Sequence, residues 1–187
     1  MAQAGSLDQA AISYNTNGTQ IPDRSVMDLW QQARLVKIYF SVDAVAKAFE
    51  YIRWPASWNQ VARNIQQMKA DCPSNVMFGI NATVGCYNVF EMAAVWSWFD
   101  RELATNREGD RSDFVWQPAN GFDVGNLDHH LRDRAAQSLP AVPVFDSLRK
   151  ELSYPGETDD AWHDAFDQID RRRGTNWRQA LRVATYY

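Results

Sequence analysis

Leu35-Val36-Lys37-Ile38-Tyr39-Phe40-Ser41-Val42-Asp43-Ala44 is the stretch whose reading decides the fold. Its first six residues, rich in β-branched and aromatic side chains, read as a strand. The polar signature Ser41-Val42-Asp43-Ala44 begins where that strand stops. The same arrangement occurs upstream, where Ala11-Ile12-Ser13-Tyr14 runs into Asn15-Thr16-Asn17-Gly18-Thr19. A parallel α/β sheet gathers its chemistry at the carboxyl ends of its strands, because only there do loops collect side chains around a ligand. Both signatures are therefore placed for binding.

Outward from these two strands the chain alternates strand and helix patterns. After Ala11–Thr16 and the Asn17-Gly18 turn, Val26, Leu29, Trp30 and Ala33 have the spacing of one buried helix face. After Leu35–Phe40 a second helix is predicted from Ser57, with Ser57 as N-cap and Gln60 completing a capping box, and with Trp58, Val61, Ile65 and Met68 on its inner side. Asp71-Cys72-Pro73-Ser74 ends it. A third strand, Val76–Val84, leads to Asn88 as N-cap and Glu91 as its capping-box partner, ahead of an apolar helix through Leu103. The fourth strand is Phe114–Pro118, followed by a helix from Leu127 to Leu139. Near-continuously apolar strands spaced by amphipathic helices imply a parallel sheet covered on at least one face.

Pro140, Pro143 and Pro155-Gly156 mark a change of style. Beyond them the pattern is helical: Val144–Leu152, a helix capped by Thr158 carrying Trp162, Phe166 and Ile169, and a last one near Trp177. The fold class is α/β, an incomplete parallel (β/α) barrel or open sheet of about four βα units over residues 1–139, with a helical C-terminal extension over 140–187.

Composition excludes several functions. With 19 Lys+Arg against 23 Asp+Glu the formal charge is −4, so no global basic field draws in nucleic acid or an anionic membrane. No apolar run approaches the ~20 residues that span a bilayer, and Met1-Ala2-Gln3-Ala4-Gly5 lacks the regions of a signal peptide, so the expected compartment is the cytoplasm. The eight Trp sit mostly at core spacing. Cys72 and Cys86 do not have metal-site spacing and read as free structural thiols. Asp123, Asp128, His129 and His130 gather at a helix start, but adjacent helical residues point about 100° apart, and a solvated helix start accounts for them. Arg171-Arg172-Arg173 follows Asp159, Asp160, Asp164, Asp167 and Asp170 and reads as a solvated, internally paired helix.

The segments Ile12–Thr19, Ser41-Val42-Asp43-Ala44, Phe49-Glu50-Tyr51-Ile52-Arg53-Trp54-Pro55, Trp58-Asn59-Gln60-Val61 and Asn81-Ala82-Thr83-Val84, through to Asn88, resemble in order and spacing the second part of the radical S-adenosylmethionine enzymes. The likeness is to members with a twitch or SPASM type extension, and the tail Ile169–Trp177 is similar to their helical end. The resemblance implies a partial (β/α)6 barrel of which this chain supplies the third to sixth units. It also implies S-adenosylmethionine and a 4Fe-4S cluster as cofactors, although the cluster ligands, a CxxxCxxC motif, are absent from this sequence. The chain accordingly reads as a truncated reading frame or fragment, inactive alone, whose partner is the missing half of the barrel or a second copy and whose substrate is a peptide or small molecule. Alternatives are a stand-alone, non-catalytic binding or partner module, and a small α/β nucleotide-binding enzyme.

By resemblance, Ser41 and Asp43 meet the ribose and methionyl parts of the cofactor, unless they only cap the following turn, and Arg53 pairs with its carboxylate, unless it is a solvated partner of Glu50. Asn81 and Thr83, two apart on one strand, point to one face and would line the barrel mouth. Asn17 and Gly18 suit a tight turn as well as a ligand, and Gln117 meets the ligand or holds the strand end.

Overall fold

The computed structural model describes residues 7–104, 112–154, 158–159 and 161–187. The Pro155-Gly156 break and Asp160 lie outside them. Strands β1 (Ala11–Thr16), β2 (Leu35–Phe40), β3 (Val76–Val84) and β4 (Phe114–Pro118) form one sheet in sequential order, and every pairing is parallel. Helices α1 (Arg24–Gln31), α2 (Ala46–Ile52), α3 (Trp58–Asp71) and α4 (Met92–Glu102) fill the connections, and α5 (His129–Ser138), α6 (Asp146–Ser153), α7 (Ala161–Arg173) and α8 (Trp177–Ala180) follow β4.

Strand alternation and register divide the sheet into two unlike faces. Val36, Ile38 and Phe40 of β2 are buried in register with Val76, Phe78 and Ile80 of β3, and Phe114 and Trp116 of β4 continue that face. The helices cover it. Val61 and Ile65 of α3 stand over Phe40 beside Gly18, while Trp96 and Phe99 of α4 pack edge-on or tilted against Phe114 with Phe145. Phe145 and Leu148 thus join the C-terminal helices to the same core as the sheet.

The other face carries Ser13, Asn15, Lys37, Tyr39, Met77, Gly79, Asn81, Thr83, Val115 and Gln117. None of its side chains is buried. Parallel sheets are ordinarily covered on both sides, so an open polar face is the distinctive property of this fold. Gly79 is glycine for a local reason: a Cβ there would stand 2.9 Å from the Tyr39 ring and 2.5 Å from the Asp113 carbonyl. Its absence lets Tyr39 lie across the strand.

Several local expectations need correction. The buried residues of α1 are Met27 and Trp30, with Ala33 just beyond, whereas Val26 and Leu29 are exposed, because the helix ends at Gln31 and turns by one position relative to the expected face. The Ser57–Gln60 capping box does not form. Glu50 Oε1 accepts from the Trp58 N–H (3.0 Å), and Gln60 donates to the Thr19 carbonyl instead. Asn88 and Glu91 do not cap a helix either: Asn88 Oδ1 accepts from Gly85 N and its Nδ2 donates to the Asp43 carbonyl, while the Glu91 carboxylate accepts from Arg182 N. Helix α5 starts at His129 with Asp128 accepting from Leu131 N, and the Asp159 carboxylate, not Thr158, accepts from Ala161 N at the start of α7. Helix α2 has no counterpart in the pattern reading.

The tail is fastened by Glu91, whose buried carboxylate accepts from Arg182 N (2.7 Å) and pairs with Arg182 Nε (3.2 Å). Among the described residues no helix is long and apolar enough to cross a membrane.

The two sheet edges differ. Beside β4, Trp116 Nε1 donates to the Val144 carbonyl and Pro118 withholds a donor. β1 has neither proline nor charge, and Ser13, Tyr14 and Asn15 are exposed. An undefended edge of this kind pairs with other strands. Light scattering is expected to show an apparent mass that rises with protein concentration, and Ser13→Lys is expected to suppress the rise; a constant monomer mass would show the edge to be inert.

Candidate functional site

Every loop at the carboxyl ends of the strands converges on one ledge. After β1, Gly18 adopts φ +69°, where a Cβ would press on Val61 and Phe40, and Asn17 Oδ1 accepts from both Thr19 N (3.1 Å) and Thr19 Oγ1 (2.8 Å). The Asn17 carbonyl oxygen is thus used in making its own turn. After β2, Ser41 N donates to the Thr16 carbonyl (2.8 Å), and the chain passes through Asp43 to Ala46, a non-glycine residue at φ +52°. Such conformations carry strain and persist where the surroundings enforce them.

Asp43, three residues earlier, anchors this loop. Its side chain is 4% exposed; Oδ1 accepts from Thr83 N (2.7 Å) and Oδ2 pairs with Arg53 Nη2 (2.6 Å). Its backbone carbonyl accepts from Asn88 Nδ2 (2.9 Å), which also donates to the Thr83 carbonyl (2.9 Å), while Asn88 Oδ1 accepts from Gly85 N (2.8 Å). The β2–α2 loop is therefore stitched to the end of β3, and Arg53, at the C-terminal end of α2, is held over the ledge. Burial raises the Asp43 carboxyl above its usual range, with Arg53 and the Thr83 N–H pulling it back. Burial also raises the Tyr87 hydroxyl, and the Asp43 carboxylate adds to the effect.

Towards the open face, Asn81 Nδ2 donates to Asn15 Oδ1 (3.3 Å) and Gln117 Nε2 to Thr83 Oγ1 (3.3 Å). Among the described residues, Asn81 Oδ1 and Arg53 Nε have no hydrogen-bond partner although both atoms are buried. Lower on the same face, Asp113 Oδ2 accepts from Lys37 Nζ and Tyr39 OH, each at 2.9 Å. Carboxamides and hydroxyls dominate the surface, and its charged groups are paired, so it suits a ligand with several polar groups.

The sequence-predicted residues are thus gathered at one end of the sheet, but they divide in kind. Arg53, Ser41, Asn81, Thr83 and Gln117 remain partly exposed or at the surface, and Asn17 borders a cleft of about 590 Å³ with Arg53, Trp54 and Ser57. Asp43 has both oxygens committed inside the protein, one to Thr83 N and one to Arg53. Asn15, Lys37, Tyr39, Asn88 and Asp113 were not among the expected site residues. The polar alternation of Lys37 and Tyr39 within β2 is the signal that marks the open face, whereas the Asp113 partnership is a tertiary contact with no sequence trace.

The residues present do not fit an iron-sulfur cluster. A cluster needs thiolates, and the only two cysteines are held as thiols: burial raises Cys72 to about 11 and Cys86 to about 12. Among the described residues no three His, Cys, Asp or Glu side chains gather as a metal site.

The Asp43 pair yields a stability test. Asp43→Ala leaves the Arg53 guanidinium and the Thr83 N–H without their acceptor and is expected to cost about 2–4 kcal/mol, allowing for the residual exposure of Arg53. Asp43→Asn keeps one acceptor oxygen and so one of the two contacts, its NH2 facing the other donor, and is expected to cost less than Asp43→Ala. Because the folded carboxyl titrates above its unfolded value, its favourable contribution is complete below the unfolded pKa of about 3.9 and is lost as pH rises through the folded value. Urea unfolding should therefore show the Asp43→Asn variant gaining on the wild type as pH rises above the unfolded value of about 4. Equal costs for Asn and Ala, or a gap that does not move with pH, would contradict this account.

No family model, no curated protein and no solved structure matches the chain.

Proposed function

We propose that this chain is the cofactor- and substrate-shaping part of a radical S-adenosylmethionine enzyme, its four βα units forming a segment of a larger parallel barrel. The observation that carries the reading is the open polar face of the all-parallel sheet, with Arg53 and the Asn15–Asn81 and Thr83–Gln117 pairs along its carboxyl end. In a barrel that face would point inward, where polar side chains meet a ligand. In this reading Arg53 pairs with the cofactor's carboxylate, Ser41 meets its ribose, and Asn81, Thr83, Gln117 and Asn17 line the cavity. Asp43 is a positioning residue that fixes the guanidinium. The iron-sulfur chemistry is supplied by another segment or chain docked along β1, and none of its steps runs through a residue described here.

A non-catalytic binding module is the second reading, and the internal commitment of both Asp43 oxygens favours it. Calorimetric titration with S-adenosylmethionine separates the two. The enzyme reading expects weak binding to the chain, with Arg53→Ala losing about tenfold or more, the value of one charged hydrogen bond. Absence of binding, or equal binding by the Arg53→Ala variant, would leave the module.

After anaerobic treatment with iron and sulfide, the chain is expected to release no 5′-deoxyadenosine from S-adenosylmethionine, because two high-pKa thiols cannot hold a cluster. Product formation together with a cluster absorption band would overturn the division of labour proposed here.

A further inference from the structure

Four aromatic side chains wall a cavity of about 140 Å³ between α2, the loops after β3 and β4, and α7. Tyr51 comes from α2, Tyr87 and Phe122 from the two loops, and Phe166 from α7. Phe166 is the hub: its ring centroid lies 5.9 Å from that of Tyr51, 5.3 Å from that of Tyr87 and 5.7 Å, edge-on, from that of Phe122. Tyr87 also meets Phe122 edge-on, at 5.9 Å. Ile169 and Arg173 follow Phe166 at i+3 and i+7, so one face of α7 supplies a whole side of the cavity.

The protein fixes these walls itself. Cys86 N donates to the Phe122 carbonyl (2.8 Å), and Gly85 carries no Cβ, which would stand 2.4 Å from that carbonyl and 2.9 Å from the Tyr87 ring. Glycine is therefore what lets the two loops close on each other. At the rim, Arg173 stacks on the Trp54 ring at 5.3 Å and donates to the Tyr51 carbonyl, while Asp167 pairs with Arg178. The triple arginine is thus not a uniformly self-paired helix end. Two neighbouring clefts adjoin the cavity: Ile52 is shared with the one at the ledge, and Tyr51 with one of about 460 Å³ on the outer side of α2, whose far wall carries Asn176 and Gln179.

Size, wall chemistry and charge together specify an occupant. A cavity of about 150 Å³ lined by aliphatic and aromatic side chains is the size that takes benzene, so one six-membered ring fits here and two fused rings do not. Aromatic walls favour an aromatic occupant over an aliphatic one of equal size, because ring edges and faces attract each other. Charge of either sign is disfavoured: near Tyr51 the Asp170 and Asp167 carboxylates are set against the Arg173 guanidinium, and near Tyr87 the Asp43 carboxylate is set against Arg53. A charged ligand would meet both signs and lose its water as well. We propose that this cavity binds a small molecule through one uncharged benzene-class ring, with any polar substituent left at the rim beside Arg173. The inference asks nothing of the cofactor reading and stands or falls without it.

Nuclear magnetic resonance of the full chain titrated with benzyl alcohol tests it. The Ile169 methyl signals, which belong to a residue that does not border the ledge cleft, are expected to move saturably under the ring current of the bound ligand. Cyclohexylmethanol should bind about threefold or more weakly, and benzylammonium, benzoate and 2-naphthylmethanol about tenfold or more weakly. Ile169→Trp, at a half-buried position, fills the cavity and should abolish binding as read by calorimetry. Phe122→Leu keeps the wall apolar but removes one ring, so it should narrow the gap between benzyl alcohol and cyclohexylmethanol, which a general loss of structure would not do. No saturable shift at Ile169, equal affinity for cyclohexylmethanol, or undiminished binding by a folded Ile169→Trp variant would each overturn the proposal.

Discussion

The Asp43 carboxylate is taken out of water and held from two sides, by the Arg53 guanidinium and by the Thr83 N–H, and the geometry of the whole ledge depends on that bond set. Removing a charge from solvent is costly unless it is paired and hydrogen-bonded. Here the pairing joins the loop after β2, the end of α2 and the end of β3. Asn88 works in the same junction through carbonyls, tying Asp43 to Thr83 and closing the Gly85 turn. Arg53 is consequently an oriented cation whose direction is set by a buried partner.

The core on the opposite side of the sheet makes this possible. Phe40, Ile38 and Val36 are sealed beneath α3 and its neighbours, and the Trp96–Phe99–Phe114–Phe145 cluster locks β4 to the C-terminal helices. With stability drawn from one face, the other is free to be polar. Lys37, Tyr39 and Asp113 occupy its lower part as a neutralised group, and the carboxamides and hydroxyls lie above them towards the ledge. A sheet of this kind presents its chemistry as an open surface, with β1 at one edge of the sheet paired only to β2 among the described residues.

Strand order and strand ends were legible in the sequence because apolar runs bounded by Asn17-Gly18, Ser41–Ala44 and Pro118 leave little freedom in assignment. Capping was misread at Ser57 and Asn88 for a common reason: a polar residue before a helix has the cap signature whether or not a distant partner claims its side chain or its place. Glu50 took the role at α3, and Asp43 and Gly85 claimed Asn88. The site residues were found as a set by their position at strand ends, but their division of roles was not legible. Asp43 and Arg53 lie ten positions apart in the chain, and only the fold shows that one is buried in order to orient the other. Asn15 and Asn81, sixty-six positions apart, meet only because β1 and β3 flank β2.

The central claim is that the ledge at the carboxyl ends of the strands is a ligand surface organised by the Asp43–Arg53 pair. It is tested most directly by nuclear magnetic resonance of the side-chain N–H groups during titration with S-adenosylmethionine. The account predicts progressive shifts of the Arg53 Nε–H and of the Asn81 and Gln117 carboxamides, with Asn176 and Gln179 on the outer side of α2 unmoved. Shifts confined to the outer side, or none at the ledge at saturating ligand, would contradict it.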